Sequence, residues 1–285
     1  MKTSFESFVK IVITGRKGFI GSHLAPLLKR QGHKITEIDT DLDIIHHQVL
    51  EVDAVVHLAS KIEFADFLSD PAETYNINVG GVNHVLDFCR KNNAKLIFTS
   101  TCGVYGSLSR SVKEIDRVVP VNSYSTSKYI GELLCARYHY DFNVSVTILR
   151  LFNVYGLHQR EAFVISYIFD CLCNNRPLNL KTPEALRDFV YIDDVCMAIL
   201  KALERKNEDI EIFNIGSGKI VSIGEVAEKI YRFWGKKIPD EVKTWRRENY
   251  LCANLDSVKT HLEWEPKVSL EEGLSIMAME YEKKR

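Results

Sequence analysis

Tyr124 and Lys128 stand four positions apart in the segment Tyr-Ser-Thr-Ser-Lys, the spacing that puts two side chains on one face of a helix. A free phenol titrates near 10. A neighbouring ammonium and a cationic cofactor ring would both favour its phenolate, which makes Tyr124 a candidate acid–base near neutral pH. The same pattern occurs on many helix surfaces, so its meaning depends on what surrounds it. Here it follows a β-type run that ends Thr99-Ser100-Thr101, where a hydroxyl would hydrogen-bond the reacting oxygen beside Tyr124.

A second group lies near the start of the chain. Gly15, Gly18 and Gly21 recur between a β-branched run (9–14) and a segment with helical apolar spacing. Strand, glycine turn, helix is the context of a dinucleotide-binding turn. Gly15 would allow the tight bend, Gly18 the approach of a pyrophosphate, and Gly21 close packing of helix on strand. The helix N-terminus would offer free N–H groups and a positive dipole end. Three glycines alone also fit an ordinary βα turn. Asp39 adds weight: it closes the next strand, 18 residues after Gly21, where an acid accepts hydrogen bonds from a ribose and repels a 2′-phosphate. That favours NAD. Arg16 and Lys17, as cations in the turn, would suit NADP, which stays open.

The elements that must carry these groups alternate. Strands are expected over 9–14, 34–39, 53–59, 96–101 and 144–152, and helices within 15–32, where Leu24, Leu27 and Leu28 have helical spacing, from about 71 to 92 and from about 123 to 140. Gly32 sits where a C-terminal glycine would end the first helix. This order predicts an α/β fold, a Rossmann-type doubly wound parallel sheet. Only 13 residues separate Asp39 from Asp53, too few for a further helix and strand, so at most a short strand near Leu42–Ile45 fits there. After Gly156 the alternation weakens into a smaller interwoven C-terminal lobe. The division expected is 1–156 for the dinucleotide-binding domain, with 187–215 returning to it, and 157–186 with 216–285 for the substrate lobe.

Composition narrows the class. The 285 residues carry 37 Lys and Arg against 38 Asp and Glu, a net charge of −1. This argues against a polybasic nucleic-acid or membrane surface. Seven scattered cysteines lack zinc-ligand spacing and fit a reducing compartment. No metal site, secretory signal or membrane-length apolar run is evident, and a cytoplasmic protein is expected.

Several segments together carry a resemblance: TGRKGFIGSHL (14–24), DAVVHLAS (53–60), NINVGG (76–81), FTSTCGVYG (98–106), YSTSK (124–128), LRLFNVYG (149–156) and RDFVYIDDV (187–195). In this order they resemble the extended short-chain dehydrogenase/reductases, in the NAD-dependent epimerase/dehydratase branch that acts on nucleotide sugars. The resemblance implies that Thr101, Tyr124 and Lys128 are catalytic, with Lys128 on the nicotinamide ribose. It implies cofactor contacts for Gly15, Gly18, Phe19, Ile20, Gly21, Asp39, Asp43, Ile44, Leu58, Ala59, Ser60, Asn78 and Phe152. Thr101, Asn153, Arg187 and Arg246 or Arg247 would meet the substrate. A homodimer through helices near 76–92 and 124–140 is implied too, with Val82, Val85, Leu86, Leu133 and Leu134 as its apolar candidates or as internal residues. Asp193 and Asp194 read as caps of the next helix, His57 as the end of a core strand, and Asn214, Gly216 and Gly218 as turn residues. His158 reads as a substrate contact or a surface-loop residue.

The residues after Thr101 speak to the reaction. A 4,6-dehydratase of this kind needs an acid pair there, and a decarboxylating xylose synthase resembles T-S-E-V-Y-G. Cys102 and Gly103 supply neither the acid nor the glutamate. The segment looks like that of the 4-epimerases, acting on a nucleotide sugar expected to be UDP-linked. The alternatives are an NAD(P)H-dependent nucleotide-4-keto-sugar reductase, which uses the same residues once, and a non-catalytic cofactor sensor, which has no need of Thr101, Tyr124 and Lys128 together. KTPEAL (181–186) and Leu157 depart from the resembled pattern, so the base and sugar preferences stay open.

Overall fold

The computed structural model describes residues 9–38, 45, 51–106, 108–206, 209–239 and 250–283. By internal contacts the chain forms two compact units, one from Met1–Gly106, Arg117–Arg150 and Cys196–Phe213, the other from Ser107–Asp116, Leu151–Val195 and Asn214–Arg285.

The first unit is built on a six-stranded sheet. Its strands are β1 (Lys10–Thr14), β2 (Lys34–Ile38), β3 (Ala54–His57), β4 (Lys95–Thr101), β6 (Val146–Leu151) and β10 (Glu211–Ile215), with β5 lying elsewhere. They run β10-β6-β4-β3-β1-β2 across the sheet, and β1 pairs in parallel with both β2 and β3, as β3 does with β4. β2 and β3 thus flank β1 on opposite sides, so the order reverses at β1. In open α/β sheets that reversal opens the crevice where ligands bind. Ile11, Val12 and Ile13 are fully buried, as a strand covered on both faces requires; each contributes about 1.5–3 kcal/mol of burial. Helix α1 (Phe19–Arg30) follows β1, and Gly32, at φ +88°, supplies the left-handed residue that ends it.

Two elements differ from the sequence reading. The helix expected over 71–92 is broken into α3 (Pro71–Tyr75), a π-helical turn (Asn76–Gly80) and α4 (Gly81–Asn92), with α2 (Phe64–Ser69) before it. Such a bulge re-aims one side chain without ending the helix, and here the turn carries Asn78 inward to 3% exposure. The strand expected over 144–152 stops at Leu151: the Phe152 N–H goes to the Ile215 carbonyl, and Asn153 turns to Asp188. β7 (Asn153–Tyr155) then pairs in parallel with β9 (Phe189–Tyr191).

The second unit holds short sheets. β5 (Arg110–Val112) pairs with β12 (Leu251–Ala253), and β8 (Leu186–Arg187) with β11 (Val221–Ser222). Helices α6 (Val164–Cys173), α8 (Ile223–Phe233) and α10 (Leu270–Lys283) pack together. Phe169 stacks on Tyr281 at 4.9 Å and meets the Trp234 ring at 5.4 Å.

Candidate active site

The glycine turn is a cradle. Gly15 takes φ +70°, and a Cβ there would lie 2.7 Å from the Ala59 nitrogen. A Cβ on Gly21 would lie 2.5 Å from Arg16 Cα and 2.6 Å from the Gly15 carbonyl oxygen. Only hydrogen fits at either position. Gly18 heads α1 with no side-chain cap, which leaves the first N–H groups of Phe19, Ile20 and Gly21 without intrahelical partners. Leu58 and Ala59 continue from β3 beside this turn: the Leu58 N–H donates to the Thr14 carbonyl, and the Ala59 N–H to Thr14 Oγ1 at 3.3 Å. These features fit a dinucleotide diphosphate: bare backbone donors at a helix start, and no side chain in the way. Asp39, Asp43 and Ile44 lie outside the described residues, and so do Arg246 and Arg247.

Asn78 and Ser60 form a clamp. Asn78 Oδ1 accepts from Ser60 Oγ at 3.1 Å and from the Lys61 N–H at 2.8 Å; its Nδ2 donates to the Lys61 carbonyl and to Ser127 Oγ. The side chain is committed to tying the 60–61 segment to α5 (Ser123–Phe142).

That helix brings the catalytic candidates together. Asn122 caps it, accepting from the Ser125 N–H at 2.8 Å. Lys128 is buried, donates from Nζ to the Thr99 carbonyl at 3.0 Å and lies 5.9 Å from the Tyr124 ring centre. The Tyr124 hydroxyl makes no hydrogen bond among the described residues, and the ring keeps part of its surface open. Of the three strand-end hydroxyls, Thr99 donates to the His57 carbonyl and Ser100 to Glu132, both buried. Thr101 alone is half-exposed, with Oγ1 accepting from the Gly103 N–H at 3.2 Å. Among the three, Thr101 is the hydroxyl that donates no hydrogen bond among the described residues.

Burial, and then the Cys102 thiol, push the Tyr124 phenol above its usual value in the protein alone. Burial lowers Lys128 to about 8, slightly opposed by Cys135. His57 does end a core strand. It is buried, 2.7 Å from Thr14 Oγ1, with Nε2 unbonded and a pKa lowered to about 3 by burial and then by Lys128.

In the second unit the structure finds an anchor the sequence did not disclose. Asp188 is fully buried. Its Oδ1 accepts from the Ser217 N–H (2.6 Å) and hydroxyl (2.7 Å), its Oδ2 from the N–H groups of Gly218 and Ala253, each at 3.0 Å. Its carbonyl takes the Asn153 N–H and Nδ2, both at 3.0 Å. Arg187, next in sequence, folds one guanidinium nitrogen onto the Leu186 carbonyl at 2.8 Å. Phe152 is buried, and a Cβ on Gly216 would reach its ring at 3.1 Å. Asn214 is a strand residue, not a turn residue, its Nδ2 bonded to the Val112 carbonyl. His158 sits at φ +65° in a turn. Asp194 does not merely cap α7 (Ile192–Glu204): its carboxylate accepts the N–H groups of Lys267 and Val268, each at 2.9 Å. A surface groove of about 620 Å³, lined among others by Leu186, Lys219, Lys229 and Glu271, includes no residue of the catalytic group. Two buried charges had signals in the sequence: Asp188 inside Arg-Asp-Phe-Val-Tyr, and Arg150 inside the strand Val-Thr-Ile-Leu-Arg-Leu, which the structure pairs with Glu132 in the first unit.

Residues 11–216 match the family model described as NAD dependent epimerase/dehydratase family. A putative UDP-glucose 4-epimerase of Methanocaldococcus jannaschii is 33% identical over 93% of this chain and 95% of its own. A UDP-glucuronic acid decarboxylase 1 of Arabidopsis thaliana is 28% identical over 96% of this chain and 70% of its own. A UDP-glucuronic acid 4-epimerase from Bacillus cereus, solved in complex with UDP-glucuronic acid and NAD, superposes with a TM-score of 0.87 at 28% identity, covering 97% of this chain and 100% of that one.

Proposed function

Because the chain belongs to the NAD dependent epimerase/dehydratase family, we propose that it is an NAD-dependent enzyme, a nucleotide-sugar 4-epimerase that inverts C4 of a UDP-linked sugar through a transient 4-keto intermediate. One observation carries this reading. A half-buried tyrosine, a buried ammonium one helical turn on and a strand-end hydroxyl all belong to the first unit, while Cys102 and Gly103 supply no carboxylate for elimination or decarboxylation. Both of the similar 4-epimerases have names that specify a UDP-sugar.

Bound NAD would supply a hydride acceptor at C4 and a positive charge beside the phenol. Held as a phenolate, Tyr124 Oη would accept the proton of the sugar's C4 hydroxyl as that carbon is oxidised to the ketone, and would return it when the carbon is reduced on its other face, so that no proton or electron is gained or lost overall. The Thr101 hydroxyl hydrogen-bonds the same oxygen. With a pKa near 8, Lys128 is mostly protonated at neutral pH and holds the phenolate and the ribose. Phe152 is assigned to the nicotinamide, Asn153 and Arg187 to the substrate's diphosphate and nucleoside, Arg246 or Arg247 to the same phosphates, and Asp39, Asp43 and Ile44 to the adenosine. A cytoplasmic setting suits seven free thiols; among the described residues no helix is long and apolar enough to cross a membrane.

The test is incubation of purified protein with UDP-glucose, UDP-N-acetylglucosamine or UDP-glucuronic acid, with no cofactor added. The axial 4-epimer, seen by NMR, is the expected product. Turnover only with NADH or NADPH and a 4-keto sugar would instead assign a reductase.

A further inference from the structure

A second polar cluster lies deeper on the same helix. Glu132 follows Lys128 by four residues, so Tyr124, Lys128 and Glu132 share one face of α5. Glu132 and Arg150 are 4% and 3% exposed. Arg150 holds the carboxylate with both arms of its fork, Nε to Oε1 at 3.0 Å and Nη2 to Oε2 at 2.7 Å. Its third nitrogen donates to Tyr105 Oη at 2.9 Å, and the guanidinium lies 4.8 Å from that ring's centre. Ser100 Oγ completes the carboxylate at 2.5 Å.

The cluster joins the four pieces that frame the catalytic group: α5, the end of β4 at Ser100, β6 at Arg150, and the 3₁₀ turn Cys102–Tyr105 that follows Thr101. Beside it a Cβ on Gly131 would reach Phe98 Cζ at 2.7 Å, so helix and sheet are in close approach. A buried ion pair is a poor source of stability, since apolar residues of like volume often do as well. Its directional bonds do fix register. Glu132 lies about 12 Å along the helix from Tyr124, so any slide or roll of α5 on β4 reaches the phenol undiminished.

We propose that Glu132 and Arg150 are positioning residues: their bidentate pair sets the height and rotation of α5 on β4 and thereby places Tyr124 against Thr101. This rests on Tyr124 being the acid–base. Glu132→Gln sets an amide N–H against the Arg150 fork, and Arg150→Lys keeps the charge but loses the two-armed grip.

The experiment compares Arg150→Lys with the double variant Glu132→Leu/Arg150→Met, measuring melting temperature, retained cofactor, KM and kcat for the epimerised sugar nucleotide. A misplacement of about 1 Å costs on the order of 100-fold in rate. The double variant should melt at or above the parent's temperature and retain cofactor. Its kcat should fall between about 10- and 100-fold, with KM within about threefold. Arg150→Lys should fall between the double variant and the parent. A folded double variant, or a folded Arg150→Lys, with parental kcat would overturn the positioning role alone. Parental turnover in Tyr124→Phe would overturn the catalytic reading and this proposal with it.

Discussion

At the residue scale the chemistry depends on which groups remain uncommitted. Thr99 and Ser100 spend their hydroxyls inside the protein, and Asn78 spends both ends of its amide. Tyr124 and Thr101 do not. Tyr124→Phe should therefore retain cofactor and fold while kcat falls about 100- to 10,000-fold, the usual range for one acid–base group; cofactor content by mass spectrometry and turnover by NMR check this. The spacing of Tyr124 and Lys128 was legible in the sequence because one helical turn fixes it. The sign of the phenol's shift was not: it depends on burial and on the nearby Cys102 thiol, and burial is set by packing.

At the element scale the glycine turn and α5 carry the geometry. Gly21→Ala drives a methyl into the backbone of Gly15 and Arg16, and backbone cannot step aside as a side-chain tip does. We expect a loss of about 1–3 kcal/mol and weaker cofactor retention, read by chemical denaturation and by the absorbance ratio of the purified protein. Asn122→Ala removes the cap of α5 and should cost about 1 kcal/mol; a melting curve equal to the parent's would refute that. The alternation of strand and helix was readable from apolar periodicity. The π turn was not: Asn76–Gly80 holds weak helix formers, but composition does not announce the wider turn that accompanies Asn78's inward hydrogen bonds.

At the scale of the whole molecule two predictions follow from burial. His57 is neutral and buried, with a folded pKa near 3 against an ordinary 6.5. The unfolded chain takes up the proton first, so this contribution to stability is complete above about pH 6.5 and drains away as pH falls toward 3. The steepest loss is about 1.4 kcal/mol per pH unit. Denaturation of His57→Gln against the parent from pH 7 to 4 should show a flatter acid limb. The second concerns assembly. Val82, Val85 and Leu86 belong to the inner core and Leu134 packs, partly buried, against it, whereas Leu133 is 50% exposed on α5, with exposed Tyr140 seven residues on along the same face. We propose a homodimer across this face. Light scattering should give twice the monomer mass for the parent and a monomer for Leu133→Arg; an unchanged mass in both would exclude it.

By itself the sequence determined the fold class, the glycine turn and the spacing of Tyr124 and Lys128, since each is local: a period, a turn chemistry, or one helical turn between two side chains. Tertiary structure alone decided which of three hydroxyls donates no hydrogen bond, that the Asp188 carboxylate gathers donors from two separate segments, and that Glu132 meets Arg150 on the face of α5 that carries Tyr124 and Lys128. Those choices join residues tens of positions apart. Their physical basis is the scarcity of hydrogen-bond partners in a dry interior, where each polar group must find its mate wherever the fold brings one.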